Sequence, residues 1–182
     1  MEDSNQHINS LLKQCLQGNT SAQMQIYKLY YKAMYNTSLR ILKDEFEAED
    51  MMQEAFLTAF TKLESFKGEV AFGAWLKRIV INKSLTQLKK NNKYNEVKLE
   101  VVYEAQTETE EAVNYAGLDT KRVLETLKSL KDNYRVVLTL HLIEGFDYEE
   151  IAELLNYTNE NVRTTISRAK KKLKQMLVLE TA

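Results

Sequence analysis

The chain has no proline and only five glycines among its 182 residues. That scarcity constrains the fold more than any other feature. A β-sandwich or barrel needs many tight turns, and little is present here to build them. The spacing of apolar residues instead follows a helical period through most of the sequence. Apolar residues make up 44% and charged residues 28%, ordinary proportions for a globular protein that argue against disorder. The length accommodates one domain, or two small helical cores joined by a linker. A single thiol, Cys15, can neither close an internal disulfide nor build a cysteine-based zinc site, and it fits a reducing cytoplasm. No apolar run approaches the roughly 18–20 residues of a membrane span. The polar, acidic start at residues 1–6 lacks the layout of a signal peptide. The net charge of −1 argues against a generally basic coat, but the charge is unevenly placed.

A short helix is expected over residues 8–17, ended by Gly18, with Asn19 or Thr20 capping a second that carries Ile26, Leu29, Tyr30, Met34, Ile41 and Leu42. Glu45, Glu47, Glu49 and Asp50 cluster where a third begins, which suits the positive end of its dipole. Its stripe is Met52, Ala55, Phe56, Ala59, Phe60 and Leu63. Gly68 and Gly73 break the pattern before a fourth helix with Phe72, Trp75, Leu76, Ile79 and Val80. From Lys89 the character changes: a polar run is followed by Glu96, Glu100, Glu104, Glu108, Glu110 and Glu111 without a sustained apolar stripe. The stretch reads as an acidic linker, with a transient helix or a solvated helical face as the alternatives. The expected architecture is all-α, with domains at 6–92 and 119–178 and a flexible linker at 93–118.

In the second domain, Val123, Leu124, Leu127 and Leu130 mark one helix, and Val136, Val137, Leu140 and Ile143 a second that Gly145 stops. Asp147 and Glu150 have capping-box spacing ahead of Tyr148, Ile151, Leu154 and Leu155. Asn156 and Tyr157 form a turn, Thr158 caps, and a long last helix carries Val162, Ile166, Ala169, Leu173 and Leu177. Short helix, tight turn and longer helix make a helix-turn-helix, whose second helix enters the major groove of DNA. With Val162 at zero, the apolar stripe stays within about 60°, and Arg163, Thr164, Ser167, Arg168, Lys171 and Lys174 fall between about 100° and 240°. Arginine can pair with guanine, hydroxyls can donate or accept, and lysine neutralises phosphate. A solvated basic face is the plainer reading of such a helix. The turn and the two capped helices together favour DNA.

The N-terminal half offers a second constellation. Ser65, Phe66, Lys67, Gly68, Glu69, Val70, Ala71 and Phe72 read as a loop between two helices, the second of them bearing Lys77, Arg78, Asn82, Lys83, Lys89, Lys90 and Lys93. An aromatic among small residues beside a basic helix can accept an unstacked base from a single strand. Trp75 lies in the apolar stripe and reads as core; Phe66 reads equally as core or as base platform. No phosphate-binding loop or HExxH motif is present, and His7 and His141 fall in different domains, His141 among Leu140, Leu142 and Ile143 as a helix residue. Nothing in the pattern points to catalysis, a metal or a cofactor.

Glu49-Asp50-Met51-Met52-Gln53-Glu54-Ala55-Phe56, Ser65-Phe66-Lys67-Gly68 and Trp75-Leu76-Lys77-Arg78-Ile79-Val80-Ile81-Asn82 resemble region 2 of the extracytoplasmic-function sigma factors. Val162-Arg163-Thr164-Thr165-Ile166-Ser167-Arg168-Ala169-Lys170 is similar to their region 4 recognition helix. The resemblance implies a non-catalytic cytoplasmic factor that joins bacterial core RNA polymerase, directs it to promoters and starts transcription. It implies that Asp50, Gln53 and Glu54 dock on the clamp helices of the largest polymerase subunit. Phe66, Lys67, Gly68, Ala71 and Asn82 then capture the flipped minus-ten base. Arg163, Thr164, Ser167 and Arg168, with Lys171 on phosphate, contact the minus-thirty-five element. An anti-sigma protein is a further partner the family admits; no insertion into a membrane is implied. The chain departs from the family pattern at Asn156, where glycine is usual, at Thr165, where arginine is usual, at Val80, which is bulkier, and near Lys131-Asp132, where proline is common. Lys83 stands in an apolar stripe with only snorkelling to explain it.

Two other readings compete. A dimeric helix-turn-helix regulator with a helical sensor domain would bind duplex by itself, and a helical adaptor would have no nucleic-acid role. Neither needs the Asp50, Gln53, Glu54 and Phe66-to-Asn82 constellation.

Overall fold

The computed structural model describes residues 2–94 and 119–179. Every regular element among them is helical, and the chain divides into two compact units, Met1–Lys89 and Lys90–Ala182. The acidic stretch expected to link two domains falls, from residue 95 to 118, outside the described residues.

The first unit is built on α1 (Glu2–Leu16), α2 (Thr20–Leu42), α3 (Glu45–Thr61) and α4 (Phe72–Tyr94). The α1 helix begins six residues before the expected start, because the polar run from Glu2 continues the helix even though it supplies no apolar stripe. Gly18 ends the segment at φ 80°, and the Asn19 side chain caps α2 by accepting from the Ala22 amide at 3.1 Å. Lys43 closes α2 in the left-handed region, and Asp44 immediately caps α3, accepting from the Glu47 amide at 2.9 Å. A one-turn 3-10 segment, Leu63–Ser65, then delivers the chain to the Phe66 loop.

Leu11, Leu12, Ile26, Met34, Met52, Phe56, Leu63, Phe72, Leu76 and Val80 form the core of this unit. Ala48, Ala55 and Ala59 are fully buried, so α3 approaches its neighbours closely. Between α2 and α4 the hydroxyls of Ser38 and Ser84, both buried, share a 2.8 Å hydrogen bond. Burial pushes the Cys15 thiol up, which makes it a packing residue with little thiolate character. Gly73 does not break α4; it lies in its first turn, where an added Cβ would come within 2.7 Å of the Tyr30 ring.

The second unit contains α5 (Thr120–Ser129), α6 (Asp132–Leu138), α7 (Tyr148–Leu155) and α8 (Asn159–Leu179). Its core is Leu127, Leu130, Val136, Val137, Leu138, Leu140, Ile151, Val162, Ile166 and Ala169. The expected single helix through Ile143 is instead α6 followed by a π-helical turn, Thr139–Ile143. The wider turn brings the Glu144 amide to the Thr139 carbonyl at 3.0 Å, and Gly145, at φ 81°, reverses the chain so that the Phe146 amide reaches the Leu140 carbonyl, also at 3.0 Å. Arg135, 2% exposed, donates to the Asp132 carboxylate. Arg122 on α5 donates to the Leu177 carbonyl at 2.7 Å and so ties down the end of α8.

Thr139 is fully buried, and its hydroxyl has no hydrogen-bond partner among the described residues. An unpaired buried hydroxyl is destabilising, and valine has the same shape without it. Thr139→Val is therefore expected to raise stability by about 1 kcal/mol. Denaturant unfolding of the two proteins checks this, and a lower midpoint for the valine variant would show that the hydroxyl is paired.

Candidate nucleic-acid and protein interfaces

Three outward faces collect the residues singled out in the sequence. On α3 the buried stripe is Ala48, Met52, Ala55, Phe56 and Ala59. Asp50, Gln53 and Glu54 are all exposed on the other side. The Gln53 amide donates to Glu49 Oε1 at 3.1 Å. Glu54 accepts from Lys83 Nζ on α4 at 3.1 Å. That ion pair accounts for Lys83: its head leaves the apolar stripe to reach a carboxylate on the neighbouring helix. Gln87, one turn further along α4, likewise donates to Glu47 at 3.2 Å. The start of α3 is strongly negative. Burial, then the carboxylates of Glu45, Glu49 and Asp44, push the Tyr35 hydroxyl up.

The second face is the 65–71 loop with the outer side of α4. Gly68 takes φ 74°, a conformation open to glycine, and Lys67, Gly68 and Ala71 are exposed. Phe66 is half-buried. Its ring meets Phe72 edge-on at 5.6 Å and lies tilted against Trp75 at 5.2 Å. One side of the Phe66 ring therefore packs against the core, and the rest of it keeps partial exposure. Trp75, read from its stripe as core, is only half-buried; it packs against the core from the outside and touches Phe72 at 5.7 Å. Arg78, Asn82, Thr86 and Lys89 are exposed and fall within about 80° of one another on the α4 surface. Trp75 starts that same line, so the loop aromatic sits at its head. The Thr86 hydroxyl donates to the backbone carbonyl of Asn82 at 2.8 Å, one turn back along the helix, and Asn82 itself is exposed.

The third face belongs to the second unit. The Asp147 side chain accepts from the Glu149 and Glu150 amides while Glu150 accepts from the Asp147 amide, a complete capping box. Asn156 ends α7 in the left-handed region at φ 57°, ψ 48°, the conformation that glycine would otherwise supply. Thr158 caps α8, its hydroxyl accepting from the Asn161 amide at 3.2 Å. Val162, Ile166, Ala169 and Leu173 are buried. Arg163, Thr164, Ser167 and Lys171 are exposed and Arg168 is half-exposed on the opposite side.

Sequence reasoning missed Tyr148. Its ring lies 5.7 Å below the Arg163 guanidinium and 5.1 Å from the stacked His141 ring. His141 also bonds through Nδ1 with the Phe146 carbonyl at 3.2 Å, so it is a structural helix residue. A capped α7 start four residues before the buried Ile151 does not announce which side chain across the turn will sit over the tyrosine. Phe46 was missed too, because an apolar residue in a first turn ordinarily reads as part of a hydrophobic staple or core. Among the described residues no group of histidine, cysteine and carboxylates could hold a metal, and no helix is long and apolar enough to cross a membrane.

The family model for Sigma-70 region 2 matches residues 26–94, and that for Sigma-70 region 4 matches residues 120–173. The chain is 29% identical to the ECF RNA polymerase sigma factor SigW of Bacillus subtilis, over 93% of this chain and 96% of that protein. It is 30% identical to the ECF RNA polymerase sigma-E factor of Escherichia coli K12, over 68% of this chain and 70% of that one. Among solved structures it is similar in fold to the sigma factor RpoE of Bartonella quintana, solved in complex with the anti-sigma factor NepR. The TM-score is 0.58 at 23% identity, covering 85% of this chain and 95% of that chain.

The tight turn is the feature on which the third face depends. Asn156→Val would force a β-branched residue into the left-handed region and is expected to lower stability by about 1–2 kcal/mol. Asn156→Gly should leave it unchanged or slightly raised. Thermal melts of the three proteins check the order, and equal melting of Val and Asn forms would mean that the turn relaxes to another conformation.

Proposed function

The chain belongs to the ECF RNA polymerase sigma factors, and from that premise we propose which of its surfaces serves each partner. It is a transcription initiation factor that binds core RNA polymerase and promoter DNA. The reading is that residues 6–92 engage polymerase and the minus-ten element, residues 119–178 engage the minus-thirty-five element, and residues 93–118 link them. Asp50, Gln53 and Glu54 dock on the clamp helices of the largest subunit. Phe66, Lys67, Gly68, Ala71 and Asn82 capture the displaced minus-ten base. Arg163, Thr164, Ser167, Arg168 and Lys171 meet the minus-thirty-five duplex. The factor works in the cytoplasm and carries out no bond chemistry itself. An anti-sigma protein is the third partner that family membership allows.

The observation that carries this reading is that the two chemically distinct DNA faces are backed by independent cores. A half-buried aromatic loop stands beside an exposed asparagine line on α4, and a basic recognition helix rides on a capped helix-turn-helix. The match to region 2 falls where a dimeric regulator would keep its sensor domain, so that alternative has no support from the N-terminal half.

Base stacking on an aromatic contributes about 1–3 kcal/mol. Asn82→Ala and Phe66→Ala should therefore reduce transcription from duplex promoters by about tenfold or more, and part of that loss should return on a template already unpaired across the minus-ten element. Because Phe66 also packs on Phe72 and Trp75, its variant is expected to melt lower, whereas Asn82→Ala should not. Equal loss on both templates for Asn82→Ala would remove base capture from this face.

Arg163 and Arg168 occupy the N-terminal half of α8, where base edges are normally reached. Replacing either with Ala should weaken the preferred promoter by about 1–3 kcal/mol and relax preference at one or two minus-thirty-five positions. Lys171→Ala should instead weaken all sequences alike and lower the salt slope by about one. Transcription of a randomised minus-thirty-five library by each variant checks this. Unchanged preferences in both arginine variants would leave α8 as a backbone clamp only.

A further inference from the structure

Two large apolar side chains stand in water on α3: Phe46 is 87% exposed and Leu57 is 68% exposed. Isolated exposed apolar residues are ordinary. These two are ordered with respect to the polar residues between them. Phe46, Asp50, Gln53 and Leu57 recur at intervals of four, three and four. At about 100° per residue they fall within about 60° of one another, on a line about 16 Å long. The line runs along the side of α3 away from Ala48, Met52, Ala55, Phe56 and Ala59. Phe46 also borders a shallow pocket with Glu47, Glu49, Asp50 and Gln53. The face reads apolar, acid, amide, apolar.

We propose that Phe46 and Leu57 are the apolar anchors of polymerase docking, each seated in a pocket of a basic helical surface of core RNA polymerase that lies along α3 and meets Asp50 between them. The inference rests on the reading that α3 docks on polymerase. Charge selects the occupant. The acids around Phe46 oppose nucleic acid, and a second copy of this chain would set those acids against themselves. A basic protein surface with apolar pockets three helical turns apart satisfies both ends and the middle of the line. Binding energy in such an interface concentrates in buried aromatic anchors, and exposed rim charges contribute less. Glu54, already paired with Lys83, belongs to that rim.

The test measures affinity for purified core polymerase. The variants are Phe46→Ser, Leu57→Ser, the double variant Asp50→Ala/Gln53→Ala, and Met24→Ser, which removes an exposed apolar residue from α2. Phe46→Ser and Leu57→Ser are each expected to bind about tenfold more weakly with little change in melting temperature, because neither side chain is in the core. Their loss should persist as salt rises, whereas the loss from the Asp50→Ala/Gln53→Ala variant should shrink. Met24→Ser should bind like the parent. If Phe46→Ser and Leu57→Ser bind within about twofold of the parent while Asp50→Ala/Gln53→Ala is weakened, the anchors are wrong and the docking face stands. If none of these variants is weakened, the docking face itself is wrong. A loss from Met24→Ser equal to that from Phe46→Ser would also overturn the proposal, since any exposed apolar group would then serve.

Discussion

Burial of one narrow stripe per helix is the constraint from which the working surfaces follow. In α3 the stripe is largely alanine, in α8 it is Val162, Ile166, Ala169 and Leu173, and in both cases the buried side chains fix the rotation of the helix about its axis. A helix turns about 100° per residue, so a slip of one residue would carry Asp50 or Arg163 a quarter-turn or more from the face it now occupies. The small residues matter for a second reason. With Ala48, Ala55 and Ala59 fully buried, the backbone of α3 lies close to its neighbours, and little apolar surface is left over for the outer face. Phe46 and Leu57 are exceptions to that economy, which is why their position in line with Asp50 and Gln53 is informative.

The ends of the helices were the most legible part of the sequence, because capping is local chemistry. Asn19, Asp147 with Glu150, and Thr158 cap as their spacing implied, and Asn156 takes the left-handed conformation that its short polar side chain tolerates. The apolar stripes of α3 and α8 were legible for the same reason: period and burial coincide. What failed to show was everything set by contacts between elements. Nothing in the residues around Thr139 marks a π-helical turn, since the extra residue per turn is imposed by how α6 meets the chain reversal at Gly145. Gly73 looked like a break and is a close approach to Tyr30. Lys83 looked misplaced until Glu54 appeared on the adjacent helix, and no sequence rule links positions 29 residues apart. Of the site residues, those on a single helix could be grouped by angle alone. The stacking of Phe66 on Trp75 and of Arg163 over Tyr148 required tertiary structure.

A net charge of −1 conceals a deliberate separation of signs. Acids gather at the start of α3, where the helix dipole already favours them, and bases gather along the outer sides of α4 and α8. Each face then attracts one class of partner and repels the other: carboxylates turn phosphate away from the α3 surface, and arginines and lysines draw it to α8. The Glu54–Lys83 pair sits at the seam between an acidic and a basic face in the first unit. With the carboxylate about half exposed and the ammonium about a quarter exposed, the pair is screened and contributes little to stability. Its effect is on the local field. Lys83 neutralises the edge of the acidic face nearest the Asn82 line, so that the phosphate-attracting side of α4 is not undermined by the carboxylates one helix away. Along the Phe46, Asp50, Gln53 and Leu57 line Asp50 is the one acid, which places a carboxylate between the two apolar side chains.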